Sequence, residues 1–169
     1  ETLNTKSIEN LKTVLKALSK FKSTNFLITE PNHDPKNSHF RKELNNFIEQ
    51  NPNSHIYQSL GKEVYLSTMK NVDFVIGNSS SGIIEAPSFS IPTINLGDRQ
   101  KGRYRAKSII DCPIKLEEII SSIKKVYSKE SKAPKEKNPF EGKETSRKIL
   151  KVLTSKEFPV NIKKKFFDL

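Results

Sequence analysis

The chain has 169 residues, 34% of them hydrophobic, and 30 Lys and Arg against 19 Asp and Glu give a formal net charge of +11. That length suits one domain with its own core, the single Cys112 excludes an internal disulfide, and no apolar run approaches the roughly 18 residues of a membrane span. The positive charge is spread over helix faces and the tail (Lys124, Lys125, Lys129, Lys132, Lys135, Lys137) without the aromatic interleaving or zinc-ligand spacing of a nucleic-acid surface, so neither nucleic acid nor membrane is an expected partner.

From the N-terminus, Glu1-Thr2-Leu3 without an initiator Met suggests a trimmed chain or a part of a longer protein. Residues 1–20 lack the apolar core of a signal peptide, which makes the cytoplasm the expected location. Ile8, Leu11, Leu15, Leu18 and Phe21 recur at helical spacing, which predicts an amphipathic helix over residues 5–22. Residues 25–29 are a short β run closed by Pro31-Asn32-His33-Asp34-Pro35, and a helix over 36–50 ends near Asn51-Pro52. Residues 55–58 read as a weaker strand, 61–70 as a helix, and 73–76 as a strong buried strand. A helix from Ser80 to Phe89, strands over 92–96 and 108–111, and helices over 115–128 and about 143–154 complete the pattern. A polar loop at 129–142 separates the last two helices.

Short strands alternating with longer helices predict an α/β fold, a Rossmann-like doubly wound parallel sheet covered on both faces. Right-handed crossovers bring the strand-to-helix loops to one edge, where ligands of such folds bind. The loops 30–35, 77–82 and 97–105 are expected there.

The most informative of these is Gly77-Asn78-Ser79-Ser80-Ser81-Gly82-Ile83-Ile84-Glu85-Ala86-Pro87. Gly77 lets the chain leave the strand sharply, and Gly82 lets a ligand approach the backbone. Ser79, Ser80 and Ser81 bring hydroxyls to the free N–H groups of a helix start, a setting for a phosphate or for a simple N-cap. Neither a P-loop nor a dinucleotide fingerprint is present. Glu85 follows the serines by a rise of roughly 6–8 Å, comparable to the step from a pyrophosphate to its ribose, and a carboxylate accepts from both hydroxyls of a diol. Interaction with the helix dipole is the structural alternative for Glu85.

Gly97-Asp98-Arg99-Gln100-Lys101-Gly102-Arg103-Tyr104-Arg105 sets four cations on the same edge, and Arg99 is the candidate for a diphosphate because guanidinium grips two oxygens. Lys101, Arg103 and Arg105 read as incidental surface charge. Asn32 is suited to a base, a ribose or an Asx turn, and His33 is the one histidine near the predicted site. His39 and His55 read as structural or surface residues, and Asp111-Cys112 resembles no reactive-thiol motif. No carboxylate pair, metal cluster or nucleophile–base set stands out, so no catalytic residue is assigned and the chain reads as a binder.

The segment 77–89, the run Pro92-Thr93-Ile94-Asn95-Leu96-Gly97-Asp98-Arg99-Gln100-Lys101-Gly102-Arg103, and Asn138-Pro139-Phe140-Glu141-Gly142 together resemble the hydrolysing UDP-N-acetylglucosamine 2-epimerases of sialic-acid-type sugar biosynthesis. The resemblance covers essentially the whole chain. Non-hydrolysing relatives usually carry Asp-Ser-Gly-Gly and a double Glu at the serine turn, unlike this sequence.

The resemblance implies a GT-B-type fold of two Rossmann-like domains, of which this chain is the C-terminal, UDP-binding one. Residues 1–154 would form that domain and 155–169 a tail, with the N-terminal domain absent. By carry-over Ser79, Ser80, Ser81 and Gly82 lie at the UDP phosphates, Glu85 holds the ribose, Arg99 supports the diphosphate, and Asn32, Ser59 and Leu60 lie near the uridine. The implied reaction eliminates UDP from a UDP-N-acetylhexosamine and adds water, converting UDP-GlcNAc to ManNAc and UDP without metal or redox cofactor. Its proton-transfer groups belong to the absent half, and a dimer or tetramer is implied. Competing expectations are the nucleotide-binding domain of a GT-B glycosyltransferase and, from another class, a non-catalytic basic module that binds nucleic acid or an anionic partner.

Overall fold

The computed structural model describes residues 5–30, 38–128 and 138–155. Helix α1 (Thr5–Leu18) leads to strand β1 (Phe26–Thr29), α2 (Ser38–Gln50) to β2 (Ser54–Tyr57), and α3 (Gly61–Asn71) to β3 (Val75–Gly77). The short helix α4 (Ser81–Ile84) and a 3-10 turn (Ala86–Phe89) precede β4 (Thr93–Leu96), β5 (Ile109–Cys112), α5 (Leu116–Tyr127) and α6 (Thr145–Leu153). The fold is α/β, and every strand pair among the described residues is parallel.

The strands form two hydrogen-bonded sheets, β1-β2 and β3-β4-β5, where one continuous sheet is expected from the sequence. Both nevertheless feed one core. Phe26 of β1, Ile94 and Leu96 of β4, Cys112 of β5, and Ile119 and Ile123 of α5 are buried together with Leu15 and Leu18 of α1. Strand β4 is central in its sheet and buried along its whole length, which suits a parallel strand flanked on both sides. Strand β3 is an edge strand and only half-buried, a correction to the reading of residues 73–76 as a strong buried strand.

Local chemistry accounts for the helices and for where they stop. In α5, Ile119 and Ile123 lie one turn apart and are buried, with Glu117 and Glu118 in the first turn and Lys124 and Lys125 in the last, the polarity the helix dipole favours. Helix α1 ends at Leu18 rather than at residue 22. There the backbone tightens into three-residue bonds, Lys20 N–H to Ala17 and Phe21 N–H to Leu18, which lets the Phe21 ring meet Tyr127 at 6.4 Å.

The predicted helix over 80–89 is broken at Glu85. A continuous helix would place Pro87, which has no N–H, opposite the carbonyl of Ile83. The chain instead ends α4 after four residues, re-forms as a 3-10 turn with Pro87 in its first turn, and closes at Ser90 with φ +56°. Glu1–Pro139 pack as one unit and Phe140–Leu169 as a second, in which α6 exposes Ile149, Leu150, Val152 and Leu153. Among the described residues no helix is long and apolar enough to cross a membrane.

Candidate functional site

Strand β3 runs into the serine turn through Gly77, whose φ of +154° is one that L side chains rarely adopt. The carbonyl of Ser80 accepts from the N–H groups of Ile83 and Ile84 at 3.0 and 2.9 Å, and that of Ser81 from Glu85 N–H at 2.8 Å. The Ser80 hydroxyl caps nothing. Ser79 is exposed, and its Oγ accepts from Ser81 N–H at 3.4 Å and from Ser81 Oγ at 3.2 Å. Ser81 Oγ in turn shares a 2.5 Å hydrogen bond with the hydroxyl of Tyr65 on α3.

Gly82 is buried, and the side on which it lacks a Cβ faces strand β4. A Cβ there would stand 2.8 Å from Thr93 Cγ2 and 3.7 Å from Val75 Cγ1. The bare glycine therefore lets the serine turn lie down on the sheet.

Glu85 occupies the junction between α4 and the 3-10 turn. Its neighbours Ile83, Ala86 and Pro87 are buried while Glu85 itself is exposed. Its side chain makes no capping bond to either element, so helix capping does not explain the acid. Asn138 fixes this junction from behind: buried, it donates through Nδ2 to the carbonyl of Ile84 and to Ser88 Oγ, both at 2.7 Å.

The loop after β4 turns at Gly97 and Gly102, both in the left-handed region with φ of +72° and +83°. Arg99, Lys101 and Arg103 are exposed, whereas Gln100 between them is buried and donates through Nε2 to the carbonyl of Asn78 at 2.8 Å. Arg105 departs from its reading as incidental charge. Its Nε meets Asp111 at 2.8 Å, and its two terminal nitrogens donate to the carbonyls of Arg103 and Gln100 at 2.7 and 3.1 Å. Asp111 also accepts from Asn95 Nδ2 at 2.6 Å. The loop is thus strapped to β5 by Arg105 and pegged into the serine turn by Gln100.

The model of the UDP-N-acetylglucosamine 2-epimerase family matches residues 1–154. The chain belongs to that family. It is 41% identical over 133 residues to a GDP/UDP-N,N'-diacetylbacillosamine 2-epimerase (hydrolyzing) of Campylobacter jejuni, covering 78% of this chain and 34% of that protein. It is 38% identical over 125 residues to polysialic acid biosynthesis protein P7 of Escherichia coli, covering 73% of this chain and 32% of that protein. Over 147 residues it is 30% identical to a UDP-N-acetylglucosamine 2-epimerase of Neisseria meningitidis, covering 86% and 38%. The chain spans about a third of the length of these curated relatives.

In this 2-epimerase-family chain, Ser79, Ser80, Ser81 and Gly82 share one turn, Glu85 closes the short helix that follows it, and Gln100 ties Arg99's loop to the turn. Ser59 and Leu60 lie just beyond β2 at the start of α3, where Ser59 Oγ accepts from Gly61 N–H at 3.3 Å, and Tyr65 on the same helix reaches the serine turn. Asn32 and His33 lie outside the described residues. Burial pushes the Cys112 thiol up from its ordinary value; a bond with Ser122 opposes the shift and the charge of Glu118 adds to it. It is a neutral core thiol and no nucleophile.

Three residues that hold this site together went unnoticed as site residues in the sequence: Tyr65, Gln100 and Asn138. Tyr65 carries no motif signal, and Gln100 lies in the Gly97-to-Arg103 run of the resemblance with nothing to mark its own role. Asn138 had one, the Asn-Pro-Phe resemblance, though not its partners.

Proposed function

We propose that this chain holds the UDP part of a UDP-N-acetylhexosamine for a hydrolysing 2-epimerase, which eliminates UDP and adds water to release the free 2-epimeric sugar. The observation that carries this reading is the peg of Gln100 into Asn78, which joins the serine turn and the Arg99 loop into one edge. That edge carries the serine hydroxyls and Arg99, and Glu85 follows Ser81 by four residues with no side-chain capping bond.

In this reading Ser79 and Ser80 with the turn's N–H groups meet the phosphates, Ser81 supports Ser79 from within the turn, Glu85 accepts from the ribose hydroxyls, and Arg99 grips the diphosphate. As the bond from C1 to the diphosphate breaks, negative charge gathers on the leaving oxygens, and Arg99 with the serine hydroxyls stabilises it. Helix α4 is too short to add a substantial dipole, so the hydroxyls and the cation carry that stabilisation. Ser59, Leu60 and Asn32 take the uridine side. Residues 1–154 act as the nucleotide-binding domain, working in the cytoplasm. The proton transfers fall to the part of the enzyme's length that this chain does not span, and the whole assembles as a dimer or tetramer.

Calorimetric titration with UDP tests the assignment. Glu85→Ala is expected to lose about tenfold or more in affinity, the weight of hydrogen bonds to a charged group. Arg99→Ala should also slow turnover in the intact enzyme. Unchanged UDP affinity in Glu85→Ala would remove the ribose assignment. Release of a free 2-epimeric sugar without any acceptor separates this reading from a glycosyltransferase, and competition by GDP against UDP tests the base.

A further inference from the structure

The hydrogen bonds around Ser79 have a direction, and it decides what Ser79 offers to a ligand. Ser81 has one hydroxyl proton, and the geometry gives it to Ser79 Oγ at 3.2 Å. In the 2.5 Å bond between Tyr65 and Ser81 the phenol must then be the donor, since Ser81 has no second proton to give. Ser79 Oγ receives this proton and, at 3.4 Å, the N–H of Ser81 as well, which occupies both of its lone pairs. Only its own proton remains, and Ser79 is exposed.

We infer that Tyr65, Ser81 and Ser79 form a one-way hydroxyl relay that fixes Ser79 as an outward donor, and that Tyr65 is a positioning residue for a diphosphate oxygen. A hydroxyl with free lone pairs accepts from a sugar or amide as readily as it donates. One whose lone pairs are filled fits only an acceptor, and phosphate oxygens in a leaving diphosphate are acceptors throughout. Each link polarises the next, so the proton Ser79 presents is more acidic than that of an isolated serine. Because Tyr65 lies on α3, whose first residue follows Leu60, the relay also couples the phosphate side of the site to the helix that starts beside Ser59 and Leu60. This inference rests on the reading that the serine turn holds the diphosphate of UDP.

The test compares affinities for UDP and for uridine, by calorimetry and ligand-observed NMR, in the full chain and in Tyr65→Phe, Ser81→Ala and the double variant. Tyr65→Phe keeps the ring and deletes only the hydroxyl. It is expected to weaken UDP by about fivefold, a hydrogen bond's net worth, and to leave uridine unchanged. Ser81→Ala should do the same, and the double variant should lose no more than either single one, since a relay is broken once. A thermal midpoint for each variant reports a general fold defect, which would weaken both ligands alike. Equal losses for UDP and uridine, unchanged UDP affinity in Tyr65→Phe, or additive losses in the double variant would each overturn the relay. A wild-type chain that binds UDP no better than uridine would instead overturn the diphosphate reading beneath it.

Discussion

The seat of the serine turn on strand β4 makes a prediction whose sign can be reversed at will. Gly82→Ala places a methyl 2.8 Å from Thr93 Cγ2, well inside ordinary carbon–carbon contact, and Thr93 is 2% exposed on the central strand. Neither partner can give way freely. Forcing a methyl into a packed site costs about 1–3 kcal/mol, while replacing a helical glycine by alanine recovers roughly 0.5–1 kcal/mol. The net expectation is a destabilisation of about 1–2 kcal/mol, or ~2–8 °C in thermal midpoint for a chain of this size. Thr93→Ser deletes the clashing methyl and keeps the hydroxyl. In that background Gly82→Ala should become neutral or slightly stabilising, which gives a coupling of about 2 kcal/mol between the two sites. Urea unfolding of the four chains measures it directly. On the proposed reading, UDP affinity follows the same pattern, falling in Gly82→Ala and returning when Thr93→Ser is added. If the two substitutions prove additive within about 0.5 kcal/mol, the turn does not rest on Thr93 as described.

Gln100→Ala should cost about 1–3 kcal/mol, because it removes the donor to Asn78 from a buried position. Gln100→Glu should be worse in urea unfolding despite its closer shape, since it turns a carboxylate oxygen toward that carbonyl. For Cys112, the unfolded chain gives up its thiol proton near the ordinary value of 9.0, while the buried thiol holds it to higher pH. Above about pH 9 the unfolded state therefore binds fewer protons and stability falls. Wild type should lose stability relative to Cys112→Ala between pH 8 and 10 in parallel urea titrations, and keep pace with it at pH 7. The same thiol should resist iodoacetamide at pH 8 until the chain is denatured.

How much of this was legible depended on whether the signal was local. The short β runs and the amphipathic spacing of α1 and α5 are local, and the elements appear within a few residues of where the pattern puts them. The break at Glu85 has a local mark in Pro87, but the reading of Ser80 to Phe89 as one helix takes no account of it. The separation of β1-β2 from β3-β4-β5 was not legible: strings of β-forming residues do not say which backbone bonds close. Arg105 shows the same limit at the site. Its partner Asp111 lies six residues away along a loop and a strand, and Asn95 joins them only because the parallel register sets it opposite Asp111. Charge in a glycine-flanked loop looks the same in sequence whether it is solvated or strapped.

That register explains why a polar side chain stands in the most buried strand. Asn95 is 1% exposed among Ile94 and Leu96, a place where an amide costs free energy unless it is bonded. Its Nδ2 bonds the carboxylate that holds Arg105, while its buried Oδ1 has no hydrogen-bond partner among the described residues, and Arg105 donates to the backbone of Gln100, whose side chain holds Asn78. An apolar residue at position 95 would satisfy the core and leave Asp111 with one fewer anchor. The chain of bonds from β4 through Asp111 to the serine turn fixes a loop of three exposed cations relative to three hydroxyls without placing any of those six groups in the core. On the proposed reading this rigid support is what an anion site in water requires, because donors held in place need no reorganisation when the charge arrives.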